Sequence, residues 1–515
     1  MAFSLAEQSV FSLAGAGLCC FLFYLTLRAF YRVTLHPLAS YSGPTLWSIS
    51  DLPSAYQTFR GTLPFKISSL HAKYGPVVRI GPNDLTYIVE EAWTDIYARK
   101  VELRKDPSQF VIVGEEKIPG LLTSPDEQAH SRMRWLWLTE GFRRRNLAHG
   151  FSEKALRGQE YIIRGYVDLL MQRLHENCGK GTVDIAKWLN FASFDIIGDL
   201  TFGESFSCLE TSEMHRREML MKKQFWVQLI FDNLKSISLL GLMKKFPPLD
   251  KILLSLLPKN AMEKQQEHLA LTEAKMMRRL ESQESRLDFL SEVQNQINTP
   301  SGMSKAELLP TVNLLIVAGS ETTATLLSAT SYFILTNPSC LSKLQAEVRN
   351  AFKTEKEINI VSVNSLSYML AILNEVLRLY PPSPASFNRL TPPGGCQIVG
   401  KFVTGNTSVA VNQWAANHSP TNFVRADEFI PERWMGGDEF AGDNRRAVQP
   451  FSVGRRDCIG RNLAYAEMRL VLARLVWNFD MELAEASRNW MKNLRVFLVY
   501  EKRPLMVHLQ PVVRG

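Results

Sequence analysis

The chain opens on an apolar run. Residues 10–27, VFSLAGAGLCCFLFYLTL, carry no charge over 18 positions, which as a helix is about 27 Å against a hydrocarbon core of about 30 Å. Glu7 is the only charge before the run, and Arg28 and Arg32 follow it. A cleaved signal peptide has a basic start and a shorter apolar core, so the run reads as a retained transmembrane anchor. Positive charge after the helix places the rest of the chain on the cytosolic side, where the sequons at Asn406 and Asn417 are expected to stay unmodified. Next comes HPLASYSGP, in which Pro37 and Pro44 stop the helix and form a hinge.

Beyond the hinge the periodicity changes. Residues 74–89 predict two short strands around the turn GPND, and from there to about residue 380 apolar positions recur at helical spacing. Near the end, NLRVFLVYEKRPLMVHLQP alternates and predicts a hairpin turning at EKRP. The fold class is therefore mainly α with small peripheral β-sheets. One helix stands out: it starts at the capping box Ser304 to Glu307, runs to about Asn337 before Pro338, and is apolar nearly all round, so it should cross the centre of the protein. The expected organisation is an anchor over 1–32, a hinge over 33–50 and one large domain over 51–515, since no Gly/Ser-rich linker or fixed-period repeat divides the remainder.

Composition narrows the function classes. With 46% hydrophobic and 21% charged residues, the 515-residue chain is globular and long enough to enclose a cavity. Seven scattered cysteines without C-x-x-C spacing suggest neither a disulfide framework nor a zinc ribbon, which fits a reducing compartment. The net charge of +8 suits a membrane surface or an acidic protein partner. No zinc-finger spacing or aromatic-rich RNA-binding signature accompanies it, so no nucleic-acid partner is expected.

Two stretches carry chemistry. Inside the central helix stands AGSETT, Ala318 to Thr323. Gly319 would remove a side chain where a flat ligand approaches, while Glu321 and Thr322 place a carboxylate and a hydroxyl beside that gap, suited to proton delivery. A helix kink with a threonine hydroxyl bonded back to a carbonyl is the alternative. The second stretch is FSVGRRDCIG. Cys458 precedes an expected amphipathic helix, whose dipole, together with nearby arginines, would favour a thiolate. Gly454 allows a tight turn, Gly460 leaves room for a planar group, Phe451 can pack beside the sulfur, and Arg456 can hold a carboxylate of that group. The parts describe a pocket for one thiolate-bound haem.

The stretch fits F-x-x-G-x-R-x-C-x-G at each fixed position, and the chain resembles the cytochrome P-450 family. NEVLR supplies Glu375 and Arg378, similar to the family's E-x-x-R pair. FIPERW supplies Arg433, which the resemblance places in a cluster with them. AGSETT resembles the oxygen-activating helix, with Ala318 and Gly319 against the cofactor and Glu321 and Thr322 as the acid-alcohol pair. By register, His130 and Arg134 in HSRMR and Arg389 in PPSPASFNR correspond to haem-propionate contacts, though His130 stands where the family often has Trp. The resemblance implies haem b on a Cys458 thiolate, a hydrophobic small-molecule substrate, and electrons from NADPH through a separate reductase, with a microsomal b-type cytochrome as a further donor. It also implies an endoplasmic reticulum location with one membrane pass. Substrate contacts are expected in the loop 111–122, around residues 225–231, at Asn313 and Val317, and over 383–387. Hinge and cysteine block look most like filamentous-fungal members, similar to trichothecene-pathway hydroxylases, which implies a tailoring oxidation of a terpenoid, polyketide or alkaloid. Two other readings stay open: a haem-thiolate isomerase or dehydratase that needs no external electrons, and a non-catalytic haem-binding membrane protein.

Overall fold

In a computed structural model, residues 2–109, 119–124, 127–138, 153–210, 235–236, 238–246, 259–284, 286–294, 297, 299 and 302–514 except 386 are described. The first helix spans Ala2–Phe30 and ends in a wide turn, Tyr31–Leu35, just before Pro37. Gly15–Leu35 is long and apolar enough to cross a membrane, and none of its residues is buried. Its end is docked onto the body: the Arg32 guanidinium donates to the Ile49 carbonyl, and the buried Arg79 donates to the Arg32 carbonyl at 2.8 Å.

The central helix is Lys305–Thr336, with both capping-box bonds formed: the Ser304 Oγ accepts from the Glu307 N–H at 3.2 Å, and Glu307 Oε2 from the Ser304 N–H at 2.9 Å. Each satisfies one donor left over at the helix start. From Thr323 to Ser331 every residue is buried, so the helix lies among others rather than on a surface. It packs against Ile185–Phe202, Ser367–Leu379 and Arg461–Asn478. One continuous core joins these helices with Glu153–Cys178.

Small sheets flank this helical body. The largest has the order Val77–Gly81, Asp84–Tyr87, Ser408–Val411, Arg389–Leu390, Arg104–Lys105, with the second and third strands parallel and the other pairs antiparallel. The strands expected around GPND are its first two. The terminal hairpin differs from expectation. Val496–Phe497 turns back at Leu498, at φ 67°, to pair with Val499–Tyr500, whereas Met506–Pro511 pairs with Phe479–Leu483 and Val183–Asp184. EKRP therefore crosses from one sheet to another, and alternation alone could not show which partner each half would find.

Candidate active site

Cys458 lies in the loop leading to Arg461–Asn478. Gly454 there has φ +83°, and a Cβ would stand 2.1 Å from the Tyr97 carbonyl oxygen, so no other residue fits without moving backbone. The Cys458 N–H donates to the Phe451 carbonyl at 2.8 Å and closes the turn. The Phe451 ring itself tilts against Tyr465, with centroids 5.3 Å apart. Cys458 is exposed although it is set deep among the atoms of the body; its side chain faces interior space. At Gly460 an added Cβ would meet nothing within 4 Å, so that space continues over the glycine.

Two expectations about this segment need correction. The helix begins at Arg461 and is buried on nearly all sides from Leu463 onward, so it is not amphipathic. The Cys458 thiol is moreover pushed up by burial and by Asp457, and the Gly460 N–H, Arg134 and Arg461 only partly offset this. An iron ion would displace the thiol proton, because metal ligation requires the thiolate.

The central helix also divides differently from its sequence reading. Ala318 is exposed and Thr322 half-exposed in the middle of an otherwise buried stretch, so this edge faces interior space. Gly319 points elsewhere: a Cβ would lie 2.5 Å from Ile197 Cδ1, so the glycine permits close helix packing rather than ligand approach. The Thr322 hydroxyl donates to the Ala318 carbonyl at 2.6 Å, the back-bonded arrangement weighed as the alternative. Glu321 does not stand beside Thr322's open edge. It is 1% exposed, and its Oε1 accepts from Lys502 Nζ at 2.9 Å and from Thr325 Oγ1 at 2.9 Å.

A buried group of basic side chains gathers near Cys458. His130, Arg134, Arg389 and Arg456 are joined by Lys105, which faces Arg389 directly across an antiparallel strand pair. Arg134 donates to the Asp457 carboxylate and, at 2.6 Å, to its carbonyl; Arg456 donates to Glu102 Oε2 and to the Ser124 carbonyl, each at 2.8 Å. Arg389 Nε is buried without a partner, and its remaining bonds to the Phe387 and Asn388 carbonyls are long, at 3.4 Å. The His130 ring is held down to about 3, first by burial and then by Arg456, Lys105, Arg134 and Arg389. Like charges opposed across a strand pair repel, and buried cations outnumbering their carboxylates are costly. A dianionic group placed among them would remove both penalties. This donor set and the open space at Gly460 fit a haem with its two propionates. Lys105 was not singled out in the sequence, because only strand register brings it opposite Arg389.

Glu375, Arg378 and Arg433 meet as the resemblance implied. Arg378 forks onto Glu375 at 2.9 and 2.6 Å, Arg433 Nε donates to Glu375 Oε1 at 2.9 Å, and all three side chains are fully buried. The Trp434 Nε1 and the Ile430 N–H also donate to Glu375, at 2.9 and 3.1 Å, and Asp443 pairs with the far side of Arg433. Asp443 carries no motif signal, since it lies ten positions beyond Arg433.

A second buried carboxyl escaped the sequence reading. Glu467 has an unpartnered Oε2, and burial raises it to about 8, offset only by a bond to Thr323. Folding therefore takes up a proton, so the stability tied to this group is complete below the ordinary carboxylate range and lost as pH rises through about 8. Glu467→Gln should leave the unfolding midpoint near wild type in acid and raise it above wild type beyond pH 8, as differential scanning calorimetry across pH would show. Of the expected substrate contacts, Asn313 and Val317 are half-buried on the central helix. Residues 225–231 and 111–118 lie outside the described residues.

Comparison with known proteins agrees with this geometry. The Cytochrome P450 family matches residues 42–509. Averantin hydroxylase of Dothistroma septosporum is 43% identical over 96% of this chain and 91% of its own length. The cytochrome P450 monooxygenase astA of Talaromyces wortmannii is 42% identical over 95% of each chain, and trichothecene C-15 hydroxylase of Fusarium sporotrichioides is 41% identical over 96% of this chain and 97% of its own. The chain belongs to the cytochrome P450 family and is a monooxygenase of the fungal kind.

Proposed function

We propose that this monooxygenase is anchored in the endoplasmic reticulum membrane with its body in the cytosol, and that it hydroxylates or otherwise oxidises a hydrophobic small molecule as a tailoring step in fungal secondary metabolism. The observation that carries the reading is the exposed Cys458 side chain facing interior space within reach of an excess of buried cations. Cys458 would hold the iron; His130, Arg134, Arg389, Arg456 and Lys105 would take the two carboxylates; Gly460 would leave room for the ring. When bound, a thiolate-held haem supplies dioxygen activation with electrons from outside the chain.

The chain's own residues set the conditions around that group. Ala318 keeps the helix edge low, so a substrate can approach without meeting more than a methyl group. The Thr322 hydroxyl, fixed by the Ala318 carbonyl, offers its oxygen lone pairs to a water or bound ligand at that edge. Glu321 is the carboxyl that can take up a proton and pass it on. A polar cleft of about 560 Å³ lies on the side of Phe451 and Ser452, lined by Arg157, Arg461 and Arg469. It supports docking of an acidic NADPH-dependent reductase by electrostatic steering. The relatives' names, averantin hydroxylase and trichothecene C-15 hydroxylase, support hydroxylation as the outcome.

The test is expression in a fungal host with a cytochrome P450 reductase, followed by comparison of metabolites with and without the gene. A product heavier by one oxygen, with label from ¹⁸O₂, is expected. Product that forms without NADPH and reductase, or carries no label, would contradict the reading.

A further inference from the structure

Glu321 has the chemistry of a proton carrier, yet its carboxyl is turned from the open edge of the central helix. What turns it is a side chain from far along the sequence. Lys502 lies between the strands Val499–Tyr500 and Met506–Pro511 on a segment whose backbone is tied at both ends. The Glu501 N–H donates to the Arg495 carbonyl at 2.8 Å, the Leu505 N–H to Asp184 Oδ1 at 3.0 Å, and Trp490 Nε1 to the Arg503 carbonyl at 2.9 Å. The ammonium is thus delivered to Glu321 Oε1 by a segment that holds its place, and Asn190 Oδ1 fixes it from a second helix at 2.7 Å. Both charged ends are buried.

The pair is incompletely satisfied. Glu321 Oε2 is buried and has no partner, so the carboxyl has given up one bond to be held at the lysine. The groups that face the pair are Thr325 on the same helix, Asp184 beside Lys502, and Tyr380, which stacks on Tyr500 with centroids 3.9 Å apart. Among these, Lys502 is the cation acting on Glu321. Burial raises the carboxyl and lowers the ammonium, and each partner offsets the other's shift. A lone carboxyl at this position would have to be neutral, or swing toward the open edge where Thr322 lies.

We propose that Lys502 is a positioning residue for Glu321, holding its carboxyl away from the Thr322 edge so that proton delivery requires this ion pair to open. The inference rests on the reading of Glu321 as the proton carrier. It adds that the carrier is restrained by the segment EKRP, which the sequence reading took for a simple turn.

The experiment uses the haem-loaded full chain and four variants: Glu321→Gln, Lys502→Met, Lys502→Arg and the double variant Glu321→Gln/Lys502→Met. The first readout is the unfolding midpoint from about pH 5 to about pH 9. Lys502→Met should fall with rising pH more steeply than wild type, because its buried Glu321 must stay protonated, and the double variant should lose that extra slope. The second readout is dioxygen reduction driven by NADPH and a cytochrome P450 reductase without added substrate, in H₂O and D₂O. Glu321→Gln and Lys502→Met should each change the rate on the order of tenfold and alter the solvent isotope effect, while Lys502→Arg should stay near wild type.

A wild-type pH slope in Lys502→Met would overturn the proposal. So would a wild-type rate and isotope effect in Lys502→Met while Glu321→Gln is impaired, since the pair would then be structural only. Wild-type behaviour of Glu321→Gln would overturn the proton-carrier reading itself, and this proposal with it. Should Lys502→Met fail to fold, the double variant decides: recovery of folded holoprotein supports the pairing, and failure to recover it overturns the proposal.

Discussion

Cys458→Ala should reduce NADPH-driven dioxygen consumption to that of the reductase alone and remove the red-shifted Soret band of the reduced carbonyl complex. The expectation follows from the loop rather than from the thiol's own acidity. Gly454 forces the chain past the Tyr97 carbonyl, the Cys458 N–H is held by the Phe451 carbonyl, and the side chain is thereby aimed into interior space. Alanine keeps this backbone and deletes the ligand. The basic side chains His130, Arg134, Arg389, Arg456 and Lys105 remain, so haem content should fall less than activity. Cys458→Ser separates the two effects further, because a hydroxyl fits the space but lacks the soft sulfur donor. Oxygen-electrode rates, absorbance and haem content on the same preparations check the prediction. Turnover at wild-type levels in Cys458→Ala would refute it.

The second large effect is on folding. Arg378→Leu should leave little or no folded holoprotein. Arg378 satisfies both Glu375 oxygens and donates to the buried carbonyls of Asn417 and Ala426 and to the part-buried carbonyl of Glu428. Removing one partner of a buried ion pair costs about 3–5 kcal/mol, and three carbonyls lose a donor as well. Total stability of a protein is about 5–15 kcal/mol, so the loss is a large share of it. Arg378→Lys should be nearly as damaging, since an ammonium cannot reproduce the fork and the carbonyl contacts together. Soluble yield, haem content and the thermal midpoint measure the effect.

How far the sequence carried these conclusions depended on range. The central helix was legible to within a residue at both ends, because its start is a local capping box and its end is set by Pro338. The Glu375, Arg378 and Arg433 cluster was legible through motif and resemblance, but Asp443 and Trp434, which complete it, were not. Lys105 and Lys502 were invisible for a common reason: each gains its role from tertiary placement, one by strand register and one by the path of EKRP between two sheets. Gly319 shows the opposite error. A glycine in a buried helix signals that something comes close, and here that something is Ile197 rather than a ligand. The ion pair of Glu321 was not legible either, because its partner, 181 positions downstream at Lys502, leaves no trace in local sequence.

The most direct test of the account is iron K-edge X-ray absorption on the purified ferric protein. The account predicts one sulfur scatterer in the first coordination shell of wild type, absent from Cys458→Ala. A wild-type shell built only from nitrogen and oxygen donors would contradict it.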